Sequence, residues 1–252
     1  MTDYHGEIII EGMTSVSALI NAVNSGVNDR KIHRVYISRS AADKKIREIA
    51  FIKANSHKLG YKVEITSPEQ MDTLTAGTTH GGIAALCSDR TFSKICPEQL
   101  PNDGIFAFID GIEDPFNYAY TVRSLYAAGF DGIVLPPRNW ANASGTVIKS
   151  SAGTSELMPT YVDDPTSAVN AFRSAGYKIV CAGIRDSVSL FEAELKAPLL
   201  LIIGGEKRGI SRSLLSLSDM TVRIDYGRPF MGSLTTAASA SVIAFEIMRQ
   251  NR

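Results

Sequence analysis

The segment Leu199-Leu-Leu-Ile-Ile-Gly-Gly-Glu-Lys-Arg-Gly-Ile-Ser211 constrains this chain more than any other. Its apolar run carries no polar alternation, so a strand built from it must be buried on both faces, as in a parallel sheet covered by helices. Two glycines, a carboxylate and a third glycine follow, and Ser211 then opens an amphipathic run. That is the form of a strand ending in a loop at a helix N-terminus, where open α/β sheets bind ligands. About twenty residues on, Met231-Gly-Ser-Leu-Thr-Thr-Ala-Ala-Ser239 supplies a second small-residue segment able to approach a ligand closely.

The sequence around these loops alternates strands and helices. Strands are expected at Ile105–Ile109, Gly132–Pro136, Tyr177–Ala182, Leu199–Ile203 and Thr221–Asp225. Helices are expected over Asn117–Ala128, Asp163–Ala175, from Ser211, and from about Ser233 to Gln250, with a loop and short helix over Ala143–Leu157. Upstream, the strands Glu7–Glu11, His33–Ser38 and Tyr61–Ile65 alternate with a helix ended by Ser25-Gly26 and a long charged helix, Ala41–Leu59, stopped by Gly60. A short helix begins at Pro68, and a glycine turn from Thr78 runs into a strand ending near Leu86. Between the two halves, Phe92–Gly104 holds Pro97, Pro101, Asn102 and Gly104 with neither periodicity. We therefore expect an α/β protein: a small α/β/α layer domain over residues 1–95, a linker over 96–104, and a larger, mostly parallel α/β domain over 105–252.

Composition narrows the functional classes. With 26 basic and 26 acidic residues the net charge is zero, so any nucleic-acid binding must come from a local patch. Cys87, Cys96 and Cys181 form no CxxC, a sparse set that fits a reducing cytosol with buried, inert thiols. The N-terminus lacks the basic and apolar regions of a signal peptide, and no apolar run is long enough to span a bilayer, so a cytoplasmic protein without membrane contact is expected. No metal is expected either: His5, His33, His57 and His80 are scattered without ligand spacing, and His80 beside Gly81-Gly82 reads as a turn histidine.

Several familiar chemistries drop out. Gly204 and Gly209 have the glycine spacing of a P-loop, but Ile210 stands where its lysine must be. GxGxxG, HExxH and GxSxG are absent. What remains is Glu206 after the strand-end glycines, and Asn117 and Arg123 after Asp110-Gly-Ile-Glu-Asp-Pro-Phe. Taken singly, Glu206 could be a carboxylate at a helix N-terminus, Asn117 a helix cap and Arg123 an ion-pair partner. On one helix Asn117 and Arg123 lie about 240° apart, so they share no face. Spacing alone leaves these alternatives open.

Together, however, the segments resemble a known family. Asp110-Gly-Ile-Glu-Asp-Pro-Phe-Asn117, with Arg123-Ser124 and Ala127-Ala-Gly-Phe-Asp-Gly-Ile133, resembles the first motif of the SpoU/TrmH methyltransferases of the SPOUT superfamily. Gly204–Ser211 resembles the second motif and Met231–Ser239 the third, while Lys149-Ser-Ser-Ala-Gly-Thr154 is similar to the stretch between motifs one and two. Thr79-His-Gly-Gly-Ile-Ala84 is similar to part of the ribosomal-protein-like RNA-binding domain that often precedes this catalytic domain.

The resemblance implies a C-terminal SPOUT α/β domain with a deep trefoil knot, where the strand–helix pattern alone implies an unknotted doubly wound sheet. It also implies a homodimer that binds S-adenosylmethionine and methylates the ribose 2′-hydroxyl of structured rRNA or tRNA. Gly204, Ile224 and Leu234 would line the cofactor pocket, and Arg123 would act at the 2′-hydroxyl, as base or as phosphate-assisted activator. Asn117 and Glu206 would position the site, and Ser233 would sit beside the reacting group. Arginine, with a pKa above about 12, is a poor base unless its surroundings suppress that value. The chain departs from the family in having Thr235 where an asparagine is usual, and Tyr118-Ala-Tyr120 after Asn117 where small or aliphatic residues are usual. Thr235 keeps a hydroxyl but loses the amide's paired donor and acceptor. Lys44, Lys45, Lys53, Lys58, Lys207 and Arg208 are candidates for phosphate contacts. Two rivals stand beside the ribose methyltransferase: a non-catalytic RNA-binding or ribosome assembly factor on the same fold, and a SPOUT enzyme that methylates a base.

Overall fold

The computed structural model describes residues 6–77, 79–137 and 144–252; His5, Thr78 and Ala143, named above, lie outside them. The chain forms two compact units, Met1–Thr91 with Trp140–Leu157, and Phe92–Asn139 with Met158–Arg252.

The first unit opens with β1 (Glu7–Glu11), α1 (Met13–Ser25) and β2 (Ile32–Ser38). The expected long helix is in fact two, α2 (Arg39–Lys44) and α3 (Ile46–Leu59). Ser38 caps α2 by accepting the Ala41 N–H, which starts helix early, and Lys45 then leaves helical geometry at φ −113°, ψ 53°. Its ammonium reaches out of the break to donate to the Gly81 carbonyl at 2.9 Å. Next come β3 (Lys62–Thr66), α4 (Pro68–Leu74) and β4 (Ile83–Ser88). Ser67 and Gln70 form a capping box at the start of α4. The four strands make a mixed sheet in the order β1-β4-β2-β3. Helices cover it on both faces, with Val16, Leu19, Ile20 and Ile52 buried against one and Met71 against the other.

Gly82 fixes the turn before β4. It sits at φ +77°, and a Cβ there would lie 2.3 Å from the Ser38 hydroxyl oxygen. His80 serves the same turn, as expected: its Nδ1 accepts the Gly82 N–H at 3.0 Å, which leaves Nε2 to carry the proton toward Asp72.

The second unit begins before the expected linker ends. Ser93 bridges to Tyr161, and Pro97–Gln99 is a single 3₁₀ turn. Then follow β5 (Ile105–Asp110), α5 (Pro115–Ala127) and β6 (Gly132–Leu135). The next two helices, α6 (Ser144–Ser150) and α7 (Thr154–Leu157), pack with the first unit, although the strand–helix count places them in the C-terminal domain. A buried ion pair accounts for that, because Glu156 accepts from Arg30 Nε at 2.8 Å with both side chains almost fully enclosed. The remaining elements are β7 (Thr160–Val162), α8 (Pro165–Ser174), β8 (Lys178–Ala182), β9 (Val188–Ser189), β10 (Leu199–Gly204), α9 (Arg212–Leu215), β11 (Met220–Arg223) and α10 (Thr236–Gln250).

Their strands form one seven-stranded sheet, ordered β7-β6-β5-β10-β8-β11-β9, with every pairing parallel. The segment Leu199–Ile203 is at its centre, fully buried as its composition requires. Phe106, Phe108, Phe172 and Tyr177 pack together on one face of this sheet. β7 and β9 escape the sequence reading because they are only three and two residues long. The helix expected from Ser211 is one turn, and the last helix starts at Thr236, three residues beyond Ser233.

Cys87 and Cys181 are buried, and burial pushes their thiols up to about 12 and about 11. Cys96 is not buried as expected: it is half-exposed and donates to Glu98 Oε2 at 2.9 Å. No helix among the described residues is long and apolar enough to cross a membrane.

Candidate active site

β5 and β10 are neighbours in the sheet, yet β5 leads on to β6 and β7 on one side while β10 leads toward β8 and β11 on the other. This is the switch point of a doubly wound sheet, where the loops leaving adjacent strands diverge and open a crevice. The loops leaving β5 and β10 border a cleft of about 750 Å³. Its lining includes Asp110, Glu113, Asp114 and Asn117 from the first loop and Glu206, Lys207 and Arg208 from the second.

Glycine is obligatory where the two loops meet. A Cβ on Gly205 would lie 2.1 Å from the Gly111 carbonyl oxygen, and one on Gly204 would lie 2.4 Å from the Gly209 carbonyl carbon. Gly205 donates its N–H to the Asp110 carbonyl at 2.8 Å, and Gly209 returns to donate to the Gly205 carbonyl at 3.0 Å. The Asp110 carboxylate accepts the Ser211 N–H at 3.0 Å and so closes the turn. Asp110 is thus a structural hub of the cleft that sequence reasoning left as part of a motif; its place at the very end of a buried strand was the available signal.

Asn117 does not cap α5. Asp114 does, accepting the Asn117 N–H at 2.7 Å, with Pro115 at the first helical position. The Asn117 side chain is therefore free to border the cleft. Glu206 is no helix N-terminal carboxylate either, since it precedes the one-turn α9 by a whole loop. It stands exposed at the opposite rim, so the structure brings Asn117 and Glu206 to one cleft. Lys207 pairs with Glu113 across the cleft at 3.1 Å, an exposed contact worth at most about 1 kcal/mol.

Two hydrogen bonds tie down the segments that carry Gly204, Ile224 and Leu234, through residues that the sequence did not single out. Thr236 donates its hydroxyl to the Gly204 carbonyl at 3.3 Å, tying the start of α10 to the end of β10. Tyr226 Oη accepts the Leu234 N–H at 3.2 Å, which folds the loop after Ile224 back onto itself. Ile224 is half-buried, and neither of its backbone groups is hydrogen-bonded to a described residue. Only the hydroxyl of Thr236, next to the motif's Thr235, hinted at its role; nothing in the sequence pointed to Tyr226.

Thr235 is the N-cap of α10, its Oγ1 accepting the Ala238 N–H at 3.3 Å. Asparagine caps equally well, so the departure at this position preserves the helix start. Ser233 is exposed just ahead of it. Arg123 lies on α5 away from the cleft lining, as its angular separation from Asn117 requires, exposed and without an ion-pair partner among the described residues. Its helix packs beside α10, where Ser124 Oγ and Ser241 Oγ are 2.7 Å apart. Among the described residues no group of three or more histidine, cysteine, aspartate or glutamate side chains could hold a metal ion.

Comparison with known proteins agrees with this geometry. Residues 104–245 match the model of the SpoU rRNA Methylase family, and residues 9–93 match that of RNA 2′-O ribose methyltransferase substrate binding. A Staphylococcus saprophyticus protein named for the TrmH family of tRNA/rRNA methyltransferases is 28% identical, over 97% of this chain and 96% of its own. The 23S rRNA (guanosine-2′-O-)-methyltransferase RlmB of Shewanella oneidensis is 25% identical, over 97% and 98%. The fold is shared with an AdoMet-bound rRNA methyltransferase from Sinorhizobium meliloti at TM-score 0.79 and 20% identity, covering 97% of this chain and 87% of that one.

Proposed function

The chain belongs to the SpoU rRNA methylase family, and from that premise we propose that it transfers a methyl group from S-adenosylmethionine to a ribose 2′-hydroxyl in structured rRNA or tRNA. The observation that carries this reading is the convergence of all three motif loops on one end of the central strand. Gly111 touches Gly205, and Thr236 holds Gly204.

The residues fit the cofactor. The uncommitted N–H and C=O of Ile224 can pair with a purine edge, since half-buried backbone groups seek partners. Leu234 offers an apolar wall beside it, and Gly204 adds no side chain to block approach. When bound, S-adenosylmethionine supplies a methyl group on a sulfonium, whose in-line displacement demands positioning and the loss of one proton from the hydroxyl. Asn117 and Glu206, at opposite rims of the cleft, hold the acceptor in place. Ser233, exposed at the entrance to α10, faces the reacting group. Arg123 orients the 2′-hydroxyl and its adjoining phosphate, a role suited to a guanidinium that stays charged. Thr235 acts on the site by capping the helix that carries these loops.

Arg123 lies off the cleft of its own chain, and a homodimer resolves that. α5 exposes Phe116 and Tyr120, in helical register with Arg123, and the adjacent α10 exposes Val242 and Phe245. Apolar series of this kind on paired helices suit a second copy of the chain, which would receive Arg123 at its own cleft. A trefoil knot in the C-terminal segment and a cytoplasmic location belong to the same reading. Within it the first unit, with its exposed Lys44, Lys53 and Lys58, presents the RNA.

The test is to map 2′-O-methylation and base methylation in rRNA and tRNA from cells with and without the gene. One position methylated only in its presence supports the reading. An unchanged map, or a missing base methylation, rejects it in favour of an assembly factor or a base-methylating enzyme respectively.

A further inference from the structure

The loop from Tyr226 to Leu234 exposes side chains that soluble proteins usually keep inside. Tyr226 is 40% exposed, Phe230 58%, and Met231 is wholly in solvent. The loop is built to hold them there. The Tyr226 hydroxyl accepts the Leu234 N–H and closes the loop at its base. The Phe230 ring stands edge-on to Tyr226, with centroids 5.6 Å apart and planes at 64°. Behind it, the Gly232 backbone comes close to the same ring, with a Cβ position 2.7 Å from it. Pro229 restricts the backbone just before Phe230. The ring thus packs against Tyr226 and the Gly232 backbone with one surface left open.

Charge narrows what that surface accepts. From Gly227 to Thr235 the loop carries Arg228 and no acidic residue, and Arg228 is exposed. Asp225, just before it, is occupied by Arg223 at 2.8 Å. An exposed aromatic beside an arginine that has no ion-pair partner among the described residues is the chemistry that receives splayed-out bases and the phosphates next to them. A second copy of the chain has the longer apolar series of α5 and α10 to cover, and needs nothing from this loop.

We propose that Phe230, braced by Tyr226 and assisted by Arg228, is a stacking platform for an unpaired nucleobase of the RNA substrate, adjoining the ribose presented to Ser233. This rests on the chain being an RNA methyltransferase. A base stacked here would fix which nucleotide of a loop reaches the cleft, so the platform contributes to specificity and leaves the donor site untouched.

The experiment compares wild type, Phe230→Ala, Phe230→Tyr and Arg228→Ala on rRNA and tRNA isolated from cells lacking the gene. It measures methyl incorporation, filter binding to the same RNA, S-adenosylhomocysteine binding by calorimetry, and oligomeric state. The expected result is an approximately tenfold loss in RNA affinity and in kcat/KM for RNA with Phe230→Ala. Phe230→Tyr should remain within about twofold of wild type, Arg228→Ala should lose RNA affinity with a shallower salt dependence, and S-adenosylhomocysteine binding should be unchanged throughout. Full RNA affinity in Phe230→Ala overturns the platform, as does a loss confined to S-adenosylhomocysteine binding or to dimer formation. If wild type itself methylates no RNA, the enzymatic reading fails, and the filter-binding comparison still decides the platform.

Discussion

Gly205 and Gly111 meet backbone to backbone: a methyl group added to Gly205 would lie 2.1 Å from the Gly111 carbonyl oxygen. This contact seats the loop after β10 on the loop after β5 and gives the cleft its shape. Gly205→Ala is therefore expected to part the two loops, weakening S-adenosylhomocysteine binding at least tenfold in calorimetric titration. Gly227→Ala, where an added Cβ meets nothing within 4 Å, serves as the neutral comparison.

Thr236 joins the other pair of motif loops. Its buried hydroxyl donates to the Gly204 carbonyl, so Thr236→Val is expected to cost about 1 kcal/mol in urea unfolding and to raise the Kd for S-adenosylhomocysteine severalfold. Full retention of both would remove this bond from the description of the site.

Thr235 makes a different prediction, because its role in the chain is to cap α10. Thr235→Ala should cost about 1 kcal/mol, whereas Thr235→Asn should be close to neutral in stability. Turnover by Thr235→Asn matching that of wild type would mean that the amide usual in the family adds nothing here beyond the cap.

In the first unit, Glu156 accepts from Arg30 and from Asn28 in a closed site. Glu156→Gln leaves the Arg30 guanidinium buried without its counter-charge and is expected to destabilise the protein by about 3 kcal/mol. Hydrogen exchange should show the loss in α7 and in the loop between α1 and β2, the segments that these bonds hold together. An unperturbed exchange pattern would contradict it.

Acid should act on the C-terminal helix. Bonds from the exposed Arg249, aided by Gln250 and opposed by burial, bring the Glu246 carboxyl down from its ordinary 4.5 to about 2. A depressed folded-state pKa contributes stability that is complete above about pH 4.5 and is lost as the pH falls from there toward 2. Glu246→Gln should be less stable than wild type at pH 7, and the difference should shrink across that window when unfolding is followed at several pH values.

The α/β class and the central strand were legible because Leu199–Ile203 is apolar at every position and can only lie inside a covered parallel sheet. Asn117 and Glu206 were legible as neighbours through the family resemblance. Their roles in the helices were not: Asp114 outcompetes Asn117 as the cap, and α9 is too short for Glu206 to belong to its first turn. The break at Lys45 was hidden because Ser38 and Gly81, which stabilise it, are distant in sequence or outside the helical pattern. Packing of α6 and α7 with the first unit depends on Arg30 finding Glu156, a long-range pairing that no local period encodes. Tyr226 was silent for the same reason, since its partner is a backbone amide whose position only the folded loop defines.

The central claim is that the methyl group goes to a ribose oxygen and that Arg123 is needed to put it there. The most direct measurement supplies labelled S-adenosylmethionine and RNA from cells lacking the gene, followed by alkaline hydrolysis of the product. Wild type is expected to leave its label in alkali-stable dinucleotides, with Arg123→Ala at least a hundredfold slower while still binding S-adenosylhomocysteine. Label released in alkali as a methylated mononucleotide, or undiminished transfer by Arg123→Ala, would contradict the account.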